Sequence, residues 1–201
     1  MRVLIVGLTY GKRPMDIIRA NLSCTGYPAT HTFVNREGIA NALNEGIDIM
    51  KEHSFFDAIA FLSNDIIEPE NWLAKKVEAL QTYPDAGIIA SSLDYERKEI
   101  QHELIISNWL ISKKTIDRIG YFNESMFPYG PIDLDYYERC NAVGIKTYYA
   151  MNCLAHHPGK DATGTEYGWD KGKLVESYWP LHHENTEGYK NGTKSTYLNR
   201  L

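Results

Sequence analysis

Ala58-Ile59-Ala60-Phe61-Leu62-Ser63-Asn64-Asp65 is the stretch that decides how this chain is read. The run 58–62 is apolar without a break, which is the mark of a strand buried on both faces. Three polar residues follow at once, and Ile66-Ile67-Glu68-Pro69 leads into a helix. Open α/β sheets bind ligands beyond the carboxyl ends of their strands. Asp65 stands at such an end and is the first candidate functional residue. Ser, Asn and Asp also favour turns, so the same triplet equally suits a plain strand terminus.

The segments around this strand alternate between strand and helix. Val3-Leu4-Ile5-Val6 is a short apolar run, followed by the glycine-containing loop Gly7-Leu8-Thr9-Tyr10-Gly11-Lys12-Arg13. Pro14 suits a first helical turn, and Ile18 and Leu22 lie four apart on one face. The loop lacks G-x-G-x-x-G, so the dinucleotide fingerprint is missing. Thr32-Phe33-Val34 reads as a minimal strand. Ile39, Leu43, Ile47 and Met50 predict an amphipathic helix over about 38–52. Leu73, Val77 and Leu80 mark the buried face of the helix opened by Pro69, and Gly87-Ile88-Ile89-Ala90 is another buried strand. This alternation implies a mixed, mostly parallel sheet flanked by helices.

From Asp94 the pattern changes. Asp94 to His102 is charged and reads as a surface excursion, and Glu103 to Ile111 as a strand carrying Trp109. Ser112 caps a short helix that Gly120 ends. Tyr121 to Pro131 is an aromatic, shaped loop. Asp133 to Val143 is a helix closed by Gly144, and Lys146 to Tyr149 a further strand. Residues 158–201 show no clear period and read as a C-terminal tail or lid.

Composition sets bounds on function. The chain has 201 residues, 43% hydrophobic and 23% charged, enough for a real core. A formal net charge of -5 argues against a general nucleic-acid coat. Cys24, Cys140 and Cys153 are widely spaced, form no metal-ligand pair and suit a reducing compartment. With the first strand at Val3 there is no room for a signal peptide, and no apolar stretch is long enough to span a bilayer. A cytoplasmic location is therefore expected, and the Asn-x-Ser/Thr triplets at Asn21, Asn123 and Asn191 read as chance matches.

Five segments, in order, resemble family 2 glycosyltransferases of the GT-A fold. Leu8-Thr9-Tyr10-Gly11-Lys12-Arg13 is similar to the loop after the first strand, where an aromatic stacks on the donor base. Asn35-Arg36-Glu37-Gly38 and Asn44-Glu45-Gly46 resemble the family's Asn-x-x-Gly and Asn-x-Gly helix. Phe61-Leu62-Ser63-Asn64-Asp65, with Pro69 and Trp72-Leu73, resembles the Asp-x-Asp segment. Gly120-Tyr121-Phe122-Asn123-Glu124, then Ile132-Asp133-Leu134-Asp135 and Arg139, resemble Gly-x-Phe-Asp-Glu and Glu-Asp-x-Asp. His156-His157-Pro158-Gly159 matches the closing histidine, taken as His156. Ser63 stands in place of the first acid and Ile132 in place of the glutamate, and the segment before Asn35 lacks the acid that grips the nucleoside.

The resemblance spans about residues 3–160. It implies a GT-A domain over 1–157, with a nucleotide-binding half of about 1–92 and an acceptor half of about 93–157. The implied reaction moves a sugar from a UDP- or GDP-sugar to an acceptor hydroxyl, with inversion and Asp133 as base. Thr9, Tyr10, Arg13, Arg36, Gly38, Asn64 and Asp65 would bind the donor nucleotide. Trp109, Tyr129 and Asp135 would meet the acceptor, for which a saccharide, a small molecule, a protein and a modified nucleobase are all open. Asp135 has a second reading as the i,i+4 partner of Arg139, and Tyr10 as a core residue. A divalent cation, Mn²⁺ or Mg²⁺, would sit on Asp65 and His156, since hard cations take oxygen-rich ligand sets. Two other classes stay open at this point: a metal-dependent hydrolase using Asp65, Asp133 and His156, and an inactive GT-A-like binding module.

Overall fold

The structure, a computed structural model, describes residues 1–9, 15–95, 100–101, 109–157 and 171–200. Its strands are β1 (Val3–Leu8), β2 (Thr30–Val34), β3 (Ala58–Leu62), β4 (Ala86–Tyr95), β5 (Ile100–Gln101), β6 (Leu110–Ser112) and β7 (Lys146–His157). Its helices are α1 (Asp16–Ser23), α2 (Ile39–Glu52), α3 (Trp72–Thr82), α4 (Lys113–Ile119), α5 (Ile132–Ala142) and α6 (Lys171–Asn191). The strands form one sheet in the order β2-β1-β3-β6-β4-β5, with β7 on the other side of β4. The long ladders, β1 with β2 and β3, and β4 with β7, are parallel. β6 runs antiparallel between β3 and β4. The sheet is thus mixed and mainly parallel, with helices on both faces.

Strand parity explains the uninterrupted apolar runs. Leu4 and Val6 of β1, with Ile59 and Phe61 of β3, face a core completed by Leu43 and Ile47 of α2 and Tyr136 and Cys140 of α5. Val3 and Ile5, with Ala58, Ala60 and Leu62, face the opposite core beneath Ile18 of α1 and Trp72, Leu73 and Val77 of α3. A strand between two such layers has no solvent face, so every position must be apolar. Burying one large side chain of this kind stabilises the fold by about 1.5–3 kcal/mol.

Local signals hold where the chain makes them. Ser112 Oγ accepts the Thr115 N–H at 3.2 Å and caps α4, and Gly120 ends that helix at φ 78°. Asn44 of α2 is fully buried and clamps the following segment: its Nδ2 donates to the Phe122 carbonyl at 3.0 Å, and its Oδ1 accepts the Phe122 N–H at 2.8 Å.

One expectation needs correction. β7 does not stop at Tyr149 but continues to His157, across a register shift opposite Ala90/Ser92 and a left-handed Asn152 at φ 56°. Within the tail, residues 171–191 form a helix that the sequence period does not show, α6, and the described residues after it reach Ile119, Tyr121 and Asp48. The buried helix positions His182, Asn185, Thr186 and Tyr189 repeat at helical spacing, but they are polar or amphipathic. A hydrophobic period is therefore absent while the helical one is present. They meet α5 at Asp135, which accepts from Tyr189 Oη at 2.9 Å and pairs with Arg139 Nε at 2.9 Å. The expected strand from Glu103 begins outside the described residues, and its described end is Leu110–Ser112. Among the described residues no helix is long and apolar enough to cross a membrane.

Candidate active site

The site forms at the edge where the parallel strands end. Thr9 follows β1, and its N–H and Oγ1 both donate to the Val34 carbonyl, at 2.9 and 3.0 Å, tying the ends of β1 and β2 together. Tyr10 and Arg13 lie outside the described residues. Past β2, Arg36 is an exposed side chain 3.6 Å from the Glu45 carboxylate. Gly38 begins α2 at φ 80°, and a Cβ there would come within 2.6 Å of the Phe127 ring. Only glycine meets both demands.

That contact carries the later loop to the same edge. The Ile39 N–H donates to the Pro128 carbonyl at 3.2 Å, and Tyr178 Oη of α6 donates to the Phe127 carbonyl at 2.5 Å. Phe127 itself remains 46% exposed, and Tyr129 beside it is half-buried. Five residues beyond Pro128 comes Asp133, half-buried in the first turn of α5. Its Oδ1 accepts the Leu134 N–H at 3.0 Å, and the positive end of the helix dipole favours its anion.

Asp65 follows β3, and Ser63 Oγ donates to its Oδ1. Asn64 is buried between them. The imidazole that reaches Asp65 belongs to His157, with Nε2 3.9 Å from Oδ2. His156, the histidine singled out from sequence, instead exchanges backbone hydrogen bonds of 2.8 Å with Ile67. Neighbouring strand residues point to opposite faces, so placing one histidine toward Asp65 turns the other away. His157 shares a face with Ala155, which is buried, but nothing local in the sequence marks that face.

Other expected contacts fall elsewhere. Trp109 is fully buried and packs on Tyr136, with ring centroids 6.2 Å apart, so it presents nothing to solvent. Asp135 is also fully buried, and of its two readings the structure realises the pair with Arg139. Burial pushes the Cys140 thiol up to about 12 and raises that of Cys153, which leaves neither as a ready thiolate.

A hard divalent cation fits the donors present in type. Asp65 offers carboxylate oxygen and His157 imidazole nitrogen, both acceptable to Mn²⁺. Among the described residues there is no group of three or more His, Cys, Asp or Glu that would hold a metal by itself. Diphosphate oxygens and water would have to complete the shell, the usual manner for Mg²⁺-like ions.

No family model matches the chain, and no curated protein matches it by sequence. Solved structures do match. The mannosyltransferase PcManGT from Pyrobaculum calidifontis, in complex with GDP-Man and Mn²⁺, aligns at TM-score 0.63 and 14% identity, over 94% of this chain and 69% of that one. GalNAc-T7 with UDP, GalNAc and Mn²⁺ aligns at TM-score 0.59 and 10% identity, over 90% of this chain and 48% of that one, so the chain spans about half of that neighbour's length. At these identities the likeness concerns architecture: the chain has the mixed α/β GT-A fold of these glycosyltransferases.

Proposed function

We propose that this chain is a metal-assisted glycosyltransferase that moves a sugar from a nucleoside-diphosphate sugar to an acceptor hydroxyl. One observation carries the reading: in a GT-A fold, Asp65 lies just past the end of the central strand beside His157, and the loop leading to Asp133 is pinned to the same sheet edge. The fold neighbours, solved with GDP-Man or UDP and Mn²⁺, support the class of donor.

In this scheme Asp65 and His157 would hold a divalent cation, and that ion would offset the charge of the departing diphosphate. Thr9, Arg36, Gly38 and Asn64 lie along the edge where the nucleotide would run, and Tyr10 and Arg13 belong to the same proposed set. Asp133 takes the proton from the acceptor hydroxyl as its oxygen attacks the anomeric carbon. The C–O bond to the diphosphate breaks on the opposite face, so one displacement inverts the anomeric configuration. Exposed Phe127 and half-buried Tyr129 supply the acceptor side, where buried Trp109 and Asp135 have no surface to offer.

The test is binding and turnover together. Calorimetry with GDP and with UDP in Mn²⁺ should give affinity that Asp65→Ala abolishes. Asp133→Asn should leave nucleotide affinity intact and reduce transfer by about 10²–10⁴-fold. Unchanged nucleotide binding in Asp65→Ala would remove the reading. Nucleotide binding without transfer to any acceptor would favour an inactive module, and release of free sugar alone would favour a hydrolase.

A further inference from the structure

Directly behind Asp65, residues 66–68 are held from three sides. Asn21 of α1 donates through Nδ2 to the Ile66 carbonyl at 2.7 Å and accepts the Glu68 N–H at 2.9 Å. Ile67 exchanges its two 2.8 Å backbone bonds with His156 of β7. The Glu68 carboxylate turns inward, where Lys76 Nζ of α3 donates to Oε1 and Ser91 Oγ of β4 donates to Oε2, each at 2.9 Å. The side chains of this ion pair are at most 1% exposed. Lys76 Nζ also lies 4.9 Å from the Trp72 ring centroid, and the Trp72 indole N–H closes the circle on the Asn21 carbonyl at 2.9 Å.

Such a pair is a poor source of stability. Desolvating two charges offsets most of their attraction, and apolar replacements are often as stable. What it supplies is a single permitted geometry, because either charge left without the other is costly. Here that geometry falls on three residues that begin one position after Asp65. The Ile67–His156 bridge extends it to β7, where the very next residue is His157. The Asp65–His157 spacing is therefore set by a bridge whose flanks are fixed from the interior.

We propose that Glu68, Lys76 and Asn21 are positioning residues. Their buried network holds backbone 66–68, and through it Asp65 against His157, in the arrangement that receives a divalent cation with a nucleoside diphosphate. This rests on the role given to Asp65 above.

The variant Glu68→Gln/Lys76→Met removes both charges at nearly constant shape. Three quantities are read: thermal midpoint, hydrogen exchange of peptides covering 63–69, and affinity for GDP and for UDP in Mn²⁺. The expected result is a midpoint close to wild type, with exchange in 63–69 about tenfold faster than in the wild type and exchange in peptides from β1 unchanged. Nucleotide affinity should fall about tenfold or more, since small misplacements of a binding group carry losses of this order. Unchanged exchange in 63–69 would overturn the proposal, whatever the affinity did. Faster exchange with wild-type affinity would overturn it too, provided Asp65→Ala abolishes binding. Faster exchange in a protein whose wild type binds neither nucleotide would keep the clamp and discard the functional reading instead. If the double variant does not fold, Ser91→Ala deletes one bond to Glu68 Oε2 and should give the same pattern at smaller amplitude.

Discussion

Arg139→Met should be the most destabilising single change among the charged residues described. Arg139 and Asp135 are both fully buried, so water screens neither charge. The guanidinium donates to Asp135 Oδ2 at 2.9 Å, to the Ile119 carbonyl at 3.0 Å and to the Tyr121 carbonyl at 2.9 Å. It thereby joins α5 to the end of α4 and to the chain that follows. Methionine fills most of the space but leaves the Asp135 carboxylate without its counter-charge, at a cost of about 3–5 kcal/mol. For a domain of this size that corresponds to a fall in melting temperature of about 6–20 °C. Asp135→Asn/Arg139→Gln restores neutrality and can keep one amide hydrogen bond, so it should cost only about 1–3 kcal/mol. Urea denaturation of the wild type, Asp135→Asn, Arg139→Gln and the double variant gives the coupling directly. A loss below about 1 kcal/mol for Arg139→Met, or a double variant no more stable than Arg139→Met, would refute the reasoning.

Gly38→Ala should cost about 1–3 kcal/mol, because φ 80° strains an L-residue and its Cβ would strike the Phe127 ring; urea denaturation of the variant checks this, and an unchanged midpoint would count against the contact. His182 is buried against α5, and burial lowers its pKa below 6.5, opposed by Asp135 and Glu138 and reinforced by His183. Its neutral form is thus favoured in the fold, so its contribution is present above pH 6.5 and is lost as pH falls below that value. Thermal midpoints between pH 7.5 and 5.5 should drop less in His182→Gln than in the wild type, and equal slopes would remove His182 as the cause.

Some of this protein is written in its sequence alone. Residues 58–62 are apolar at every position, and only a strand covered on both faces asks for that. Ile39, Leu43, Ile47 and Met50 set α2 by spacing, and Ser112 and Gly120 set the ends of α4 by their side-chain and backbone chemistry. Asp65 could be placed because a strand end is a local event. Other features depend on partners far away in the chain. The parity of β7 cannot be carried past the left-handed turn at Asn152, so only the Ile67–His156 bridge decides that His157 and not His156 faces Asp65. Asp135 had two chemically sound partners, and the arrival of Tyr189 over it, 54 residues later, buried it with Arg139. α6 escaped a hydrophobic-period reading because what it buries is His182, Asn185 and Thr186. Asn185 and Tyr189 go inside where Asp135 brings charge and hydrogen bonds to meet them, and a linear sequence does not say which element will do that.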